Sequence, residues 1–582
     1  MSIKLRNRKA AEAQLGQFVE DMSLPPKLVG AIVDGEVNET YMQSLILLHS
    51  KLEFFRSDPR ALQAAALADV DGEVERLRAR AAAKVREFLL QRFYGLRKPK
   101  TNIQVLQQSV LLKYKYGAKF LQQHGPEVFP EVRQAYLETL SRIYRSALSK
   151  YVLALNALHA EVAGKLDLLT SEEGRGGAAR AGPASARGRV SLFALGARSS
   201  VLHDLDGTPP LVVHQAEASG ERHPYEVLFR SSHKLLMDSA TSEFFFCEDF
   251  WAGDGALFDE VFAPAVAAVE EGLALHLSSC HDLVSLTLML RINHGHQVIM
   301  FRRRAPCLDA YLEKVNLLLW PKYRAALDAQ LASLRNVSER SLMTEDLGGH
   351  WVLRRYAELV AGAHSLASCS SDSQLEQSLE RLRLAACELL GRMAKLVTSR
   401  RSRLVFLINN YELVLSVLRE AAADPADPGC AGADRAPTAQ HFSELLAAQL
   451  HLFVEEELLD QFNPLITFVK RAEEAYKHAS GGEPLPQFGA EDAEPVLRDF
   501  GAHWRMSIEE IHRSISASFG TSQRALDILQ RTLSQLLLFY TRLTGPEGVL
   551  MTHCGPAGAA LCRSAVPTST MLAEVKRMVT HR

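Results

Sequence analysis

The sequence predicts an all-α protein made of elongated, stacked helical bundles with irregular linkers. Two observations support this fold class. Apolar residues recur three or four positions apart through most of the chain, and no stretch of useful length alternates apolar and polar residues as a strand would. Glycine- and proline-rich segments separate the periodic stretches. The 582 residues correspond to roughly three or four domain-sized units.

Residues 1–170 are predicted to form an N-terminal helical region that contacts partner proteins. One helix is expected from about Val70 to Tyr94, ending near Gly95, and Thr101 or Asn102 should cap a second helix over 103–124. A third, from Glu131 to Leu168, would be roughly 55 Å long. Its predicted apolar stripe consists of Val132, Tyr136, Leu140, Ile143, Ala147 and Tyr151.

The remainder of the chain divides into a linker and a long helical region. Residues 171–222 are predicted to be a linker and irregular segment, because 172–190 are rich in glycine, alanine, arginine and serine. Residues 223–582 are predicted to form a C-terminal rod of helical bundles. Loop-like connections are expected at 422–440, 479–496 and 545–570.

Composition restricts the functional class. The formal net charge of -2 leaves no global field that would attract nucleic acid or an anionic membrane. Eight scattered cysteines without a CxxC pair indicate a reducing compartment rather than a disulfide framework. We also expect that no apolar run reaches the length of a membrane span and that the N-terminus is not a secretory signal. The chain is therefore predicted to be cytosolic unless a partner carries it to a membrane.

No catalytic, cofactor-binding or metal-ligating residue is assigned from the sequence. Nucleotide-binding and hydrolase fingerprints are absent. Cys280, His281, His294 and His296 form the nearest approach to a metal cluster, and a metal-dependent hydrolase is the alternative function that they would support. Cys280 and His281 are adjacent and His294 and His296 are separated by one residue, and neither spacing fits a zinc site. The spacing therefore favours the interpretation as a core cysteine and solvent-facing histidines.

Five other segments have a functional and a simpler structural interpretation. Residues 69–73 faintly resemble a calcium loop but fit a helix start better. The aromatic and basic segment Leu111–Phe120 could stack on single-stranded nucleic acid, although a buried stripe is simpler. Basic clusters at 97–100 and 302–304 could bind an acidic partner or lipid headgroups, or be solvated. The aromatic segment Thr241–Trp251 is predicted to lie in a core or subunit interface.

Several long motifs resemble the family of vacuolar protein sorting-associated protein fifty-two. They occur in the expected order over nearly the whole chain: Asp69–Tyr116, Glu131–Tyr144, Phe193–Leu202, His223–Phe250, Arg354–Leu359 and Arg403–Leu415. The resemblance implies a CATCHR-type helical tether, a subunit of the GARP complex and of the syndetin-containing EARP complex. It further implies tethering of endosome-derived vesicles at the cytosolic face of the trans-Golgi network, promotion of SNARE assembly, and a Rab-class GTPase as partner.

The resemblance also gives an expectation for assembly. Members of the family usually carry a coiled coil ahead of the motif at Leu5–Pro26, and that coiled coil is the expected assembly site. Here the chain begins just before this motif, so we expect that either Met1 is an internal methionine taken as the start or this form is truly short. The helices of 69–168 are then expected to pack against neighbouring subunits, and the segment after residue 224 to form the rod.

Overall fold

The computed structural model describes residues 2–98, 101–171, 192–343, 346–367, 373–423, 436–478, 488–520 and 523–580. Within these ranges the predicted all-α class is confirmed: the backbone forms helices and no strand, and one isolated β-bridge joins His159 to His223. The chain divides into two compact units. Unit 1 comprises residues 1–164 and 200–324, and unit 2 comprises 165–199 and 325–582.

Unit 1 is built mainly of long helices. Its helices are α1 (Ser2–Met22), α2 (Pro26–Val33), α3 (Glu39–Ser57), α4 (Pro59–Leu62), α5 (Ala65–Gly95), α6 (Ile103–Ser109), α7 (Lys115–His124), α8 (Phe129–Ala157), α9 (Val213–Ser219), α10 (Tyr225–Phe250), α11 (Gly255–Ser279), α12 (Leu283–Arg303) and the first part of α13 (Asp309–Asn336). Short 3₁₀ turns occur at Leu111–Tyr114 and Pro306–Leu308. Helices α8, α10 and α11 pack together around buried aromatic rings, among them Tyr136, Phe246 and Phe262.

Unit 2 contains the remaining helices. They are the end of α13, then α14 (Glu339–Leu342), α15 (Trp351–Ala367), α16 (Ser373–Leu396), α17 (Arg400–Ala423), α18 (Pro437–His478), α19 (Ala490–Phe519), α20 (Gln523–Thr544), α21 (Val549–His553), α22 (Gly555–Ser564) and α23 (Thr568–Thr580). A 3₁₀ segment spans Gly196–Leu202. One apolar cluster runs from α17 through α18, α19 and α20 to α23.

The predicted long helix from Glu131 is correct at its start and wrong at its end. Helix α8 stops at Ala157 instead of Leu168. Beyond it the Ala160 amide donates to His223 O at 2.9 Å and the His223 amide donates to Leu158 O at 3.0 Å, so the backbone exchanges helical bonds for a bridge to the start of α10. The predicted stripe is also wrong after Leu140: the buried positions are Tyr144, Leu148, Val152 and Leu155, and Ala147 is exposed.

The predicted helix over 103–124 is capped as expected but is not continuous. The Asn102 side chain accepts from the Val105 amide at 3.1 Å. The helix then breaks after Ser109 into a 3₁₀ turn and α7. Both parts contact α10, where Gln107 donates to Glu243, but α7 also packs on α5, and a Cβ at Gly117 would lie 3.0 Å from Val85.

Two of the predicted connections contain more helix than expected. Within 545–570, Gly548 precedes α21 and Pro556 lies in the first turn of α22, so these residues mark helix starts. Within 479–496, helix α19 begins at Ala490, where the Asp492 carboxylate accepts from the Gly489 amide at 3.2 Å. The linker prediction for 172–190 and most of the connection at 422–440 lie outside the described residues.

The expectation that no stretch could span a membrane is wrong by length and composition. Helix α11 is 25 residues long and reaches a mean hydropathy of 1.3, with 39% of that stretch buried in the fold. Glu270 and Glu271 interrupt its apolar run. The buried side chains Leu257, Val261, Val269, Leu273 and Leu277 lie on the face of the helix that packs within unit 1, chiefly on α8.

Candidate interaction surface

Helix α1 is attached to the rest of unit 1 through its last turns. Lys51 of α3 is 9% exposed, and its Nζ donates to Glu20 O at 2.5 Å and to Asp21 O at 3.2 Å. The ring centroids of Phe18 and Phe54 lie 5.9 Å apart, and Met22 is buried. These contacts fix the end of α1, while every residue from 3 to 17 is exposed.

Helix α1 carries an apolar stripe on one side that is partly exposed and partly packed on unit 1. At 100° per residue, Leu5, Leu15, Phe18, Val19 and Met22 lie on one side of the helix. We call these five residues the α1 stripe. Leu5, Leu15 and Val19 are 59%, 64% and 62% exposed, whereas Phe18 and Met22 contact unit 1. An isolated helix gains little from its backbone alone in water, so an apolar partner helix would stabilise this segment.

The helices of 69–168 also expose single apolar side chains. Tyr94, Val105, Tyr116 and Leu153 are 49%, 55%, 47% and 73% exposed. The opposite sides of α5 and α8 form the core of unit 1. These helices therefore have a structural role inside unit 1 and leave separate apolar positions on its surface.

The structure does not bring the candidate metal residues together. His281 and His294 are exposed, as predicted, but His296 is fully buried and Cys280 is half-buried. In the part of the chain that the structure describes, no three His, Cys, Asp or Glu side chains are arranged to hold a metal ion. A cleft of about 300 Å³ in unit 1 includes Cys280 and His281 in its lining, beside the stacked rings of Tyr225 and His276.

The calcium-like segment lies within a helix, and each basic cluster contains an arginine that is held by contacts within unit 1. Residues 69–73 lie inside the regular helix α5, which cannot wrap around an ion. Arg97 stacks on Tyr94 and donates to Thr139, while Lys100 lies outside the described residues. Arg303 is bound by Asp206 and Asp238, and its neighbours Arg302 and Arg304 are exposed.

In the Leu111–Phe120 segment the buried stripe is only partly correct. Leu111 and Phe120 are buried, but Tyr116 is exposed because the helix breaks before α7. Tyr114 instead packs on Phe88 of α5, with ring centroids 4.6 Å apart.

The aromatic segment 241–251 is confirmed as core and contains a polar network that the sequence did not indicate. Glu243 is fully buried and accepts hydrogen bonds from Tyr136 Oη at 2.5 Å, Tyr144 Oη at 2.9 Å and Gln107 Nε2 at 2.7 Å. Burial raises the pKa of Glu243 above its usual range. The network joins α6, α8 and α10, and its donors on α6 and α8 are more than 90 residues from Glu243 in sequence, so no local pattern could have revealed it.

Comparison with protein families gives two consecutive matches. A model described as the Vps52/Sac2 family coiled-coil matches residues 1–121, and one described as Vps52, C-terminal, matches residues 138–451. Together they cover most of the chain. This chain belongs to the Vps52 family. The resemblance seen in the sequence motifs is thereby confirmed.

Full-length relatives agree with the Vps52 models. Vacuolar protein sorting-associated protein 52 A of Arabidopsis thaliana is 43% identical over 99% of this chain and 79% of its own length. The human Vps52 homolog is 34% identical over 93% of this chain and 74% of its own length, and the Caenorhabditis elegans homolog is 26% identical over 99% of this chain. Membership of the Vps52 family indicates a role in vacuolar protein sorting. The α1 stripe lies within the part matched by the coiled-coil model.

Proposed function

We propose that this protein is a subunit of the GARP and EARP tethering complexes and acts in retrograde transport from endosomes to the trans-Golgi network. It works by binding other proteins, and its place is the cytosolic face of the trans-Golgi network and of endosomes. Its partners are vacuolar protein sorting proteins fifty-one, fifty-three and fifty-four, or syndetin, together with a Rab-class GTPase and SNAREs. Membership of the Vps52 family supports this proposal.

The α1 stripe is the observation that carries the proposal. Three apolar side chains, each more than half exposed, lie on one side of a helix that the described part of the chain leaves uncovered over most of its length. Burying such a side chain fully contributes about 1.5–3 kcal/mol. A helix from another subunit, packed in coiled-coil fashion, would recover this free energy, and membrane attachment would follow through the assembled partners.

Charge substitutions on the α1 stripe test the assembly step. We expect Leu5→Asp, Leu15→Asp and Val19→Asp, combined in one chain, to lower the recovery of the other subunits by about tenfold or more, because burying three carboxylates in an apolar seam is strongly unfavourable. Recovery is measured by co-purification of the full chain with the other subunits, and folding by circular dichroism.

The matched control carries Leu275→Asp, Phe301→Asp and Leu317→Asp. These side chains are 71%, 84% and 74% exposed elsewhere in unit 1 and lie outside residues 69–168. Full recovery with the control and loss with the α1 variant support the proposal, and unchanged recovery with the α1 variant rejects it. Deleting 69–168 is less informative, because it would remove the core side chains of α5 and α8.

A further inference from the structure

A break in α18 creates a cleft in unit 2. Phe462 has non-helical backbone angles, φ -130° and ψ 31°, and Pro464 follows it. Proline lacks an amide hydrogen and its ring clashes with the carbonyl four residues earlier, so the helix bends here. Lys470 consequently forms an ion pair with Glu455. In a straight helix these two residues would be about 22 Å apart along the axis.

Helix α20 forms the other wall of this cleft. The cleft has a volume of about 430 Å³ and lies between α18 and α20. Its floor consists of the largely buried apolar side chains Leu450, Val454 and Phe539, and Lys470 and Arg542 lie over the ring of Phe539. On α20 the residues facing it, Arg531, Gln535, Phe539 and Arg542, recur at helical spacing over about 16 Å. We call this feature the α18–α20 cleft.

The cleft has an unmatched positive charge at its edge. Lys470 is paired with Glu455, and Arg542 is held by Glu473. Arg531 is exposed and has no hydrogen bond or ion pair within the described residues. Gln535 is half-buried, and its side-chain amide is likewise without a hydrogen bond among the described residues. A ligand that fits would therefore bring apolar groups to the floor and a carboxylate to Arg531.

We propose that the α18–α20 cleft binds an amphipathic helix of a partner protein, which places apolar side chains on the floor and a carboxylate against Arg531. Grooves between helices receive amphipathic helices through apolar anchors at i, i+4 and i+7. The length of the lined wall of α20 corresponds to about three helical turns, or about 11 residues of a bound helix. An anionic lipid headgroup would satisfy Arg531 but would leave the apolar floor unused. The cleft lies in unit 2, so this proposal does not depend on the α1 stripe.

A synthetic helix tests the proposal directly. The probe is a fluorescein-labelled, hydrocarbon-stapled peptide of about 15 residues, with leucine at i, i+4 and i+7 and glutamate beside the leucines. We expect it to bind the full chain with a Kd of tens of micromolar, since the small contact area places it among transient interactions. Binding is followed by fluorescence anisotropy and should weaken as salt is added.

Two substitutions separate the contributions of charge and shape. Arg531→Glu should weaken binding about threefold to tenfold by replacing attraction with repulsion at an exposed site. Ala447→Trp should abolish binding, because Ala447 is an exposed residue in the lining and the indole would fill the cleft. Arg471→Glu is the matched control, since Arg471 is an exposed arginine of α18 outside the cleft. Circular dichroism melting verifies that each variant is folded.

The alternatives give different results. A peptide in which serine replaces the leucines should not bind. Absence of binding by the leucine peptide, or equal binding by Ala447→Trp, overturns the proposal. Recruitment of the chain to vesicles of phosphatidylcholine and phosphatidylserine that depends on Arg531, with no peptide binding, would assign the cleft to a headgroup and overturn it as well.

Discussion

His296 lies in an environment that the sequence does not predict. It was expected to face solvent together with His281 and His294, but it is fully buried on α12. Neither ring nitrogen has a hydrogen-bond partner within the described residues. Burial lowers its pKa well below the usual value, and the nearby side chains of His233, Lys234, Arg230 and Arg303 lower it further.

Replacing His296 by leucine should stabilise unit 1. The change removes buried polar atoms that lack partners, so we expect a gain of about 1 kcal/mol in the free energy of unfolding at pH 7. In the parent, the unfolded chain takes up a proton below pH 6.5 while the folded chain does not, so this histidine destabilises the fold as pH falls from 6.5. The advantage of His296→Leu should therefore grow between pH 7 and pH 5.5.

The measurement is urea unfolding followed by hydrogen exchange of peptides from α12. His294→Leu is the matched control, because His294 is exposed on the same helix, and its effect should stay within about 0.5 kcal/mol. An advantage of His296→Leu that shrinks on acidification would contradict this account.

At the scale of single helices, periodicity predicted that a helix exists better than it predicted the bounds and the register of that helix. In α5 the end near Gly95 is as predicted and the apolar residues at helical spacing are buried, namely Val74, Leu77, Ala81, Val85 and Leu89, but the helix begins at Ala65 instead of Val70. In α8 the predicted stripe continues from Leu140 to Ile143, whereas the buried residue at that turn is Tyr144. Both side chains are apolar enough to follow Leu140, so the local sequence does not distinguish them. The Tyr144 hydroxyl reaches the buried Glu243, and that tertiary contact is not visible in the local sequence.

The packing of α8 against α11 depends on a glycine. A Cβ at Gly272 would lie 2.5 Å from Cγ1 of Val152, a stiff β-branched side chain. We expect Gly272→Ala to destabilise unit 1 by about 1–2 kcal/mol, because the overpacking exceeds the gain of about 0.5–1 kcal/mol from replacing a helical glycine. The measurement is urea unfolding followed by hydrogen exchange of peptides from α8.

Two further variants verify the cause. Gly72→Ala, in α5 with no atom within 4 Å of the added methyl group, should be stabilising. In a Val152→Ala background, Gly272→Ala should lose its penalty, giving a coupling of about 1 kcal/mol or more in the double-mutant cycle. Additive effects of the two substitutions would show that the helices do not meet at this point.

At the scale of the whole molecule, the motifs predicted the family and the periodicity predicted the all-α class. Neither could predict which segments share a core, because unit 1 joins residues 1–164 with 200–324 and leaves the segment between them to unit 2. Local patterns report a residue's neighbours within one helix and carry no information on such long-range pairing. The α1 stripe could have been found earlier, because Leu15, Phe18, Val19 and Met22 have helical spacing in the sequence.

The membrane behaviour of the chain follows from the packing of α11. Inserting this helix into a bilayer would require removing Val261, Val269 and Leu273 from the core of unit 1. We expect the purified full chain to stay at the bottom of a flotation gradient with phosphatidylcholine and phosphatidylserine vesicles. A synthetic α11 peptide, free of these contacts, should float with the same vesicles. Flotation of the folded chain alone would show that α11 leaves its packing.

The bridge between His159 and His223 brings the end of α8 to the start of α10. The chain between them makes an excursion whose ends are fixed by backbone hydrogen bonds, and the entropy of closing such a loop grows only with the logarithm of its length. Doubling its length would cost about 0.6 kcal/mol, less than the roughly 0.8 kcal/mol lost by exposing one core methylene group. Insertions that keep both anchoring amides paired and leave residues 200–222 in their packing therefore cost unit 1 little, whereas a deletion that removes Asp206 would take an ion-pair partner from Lys234 and Arg303.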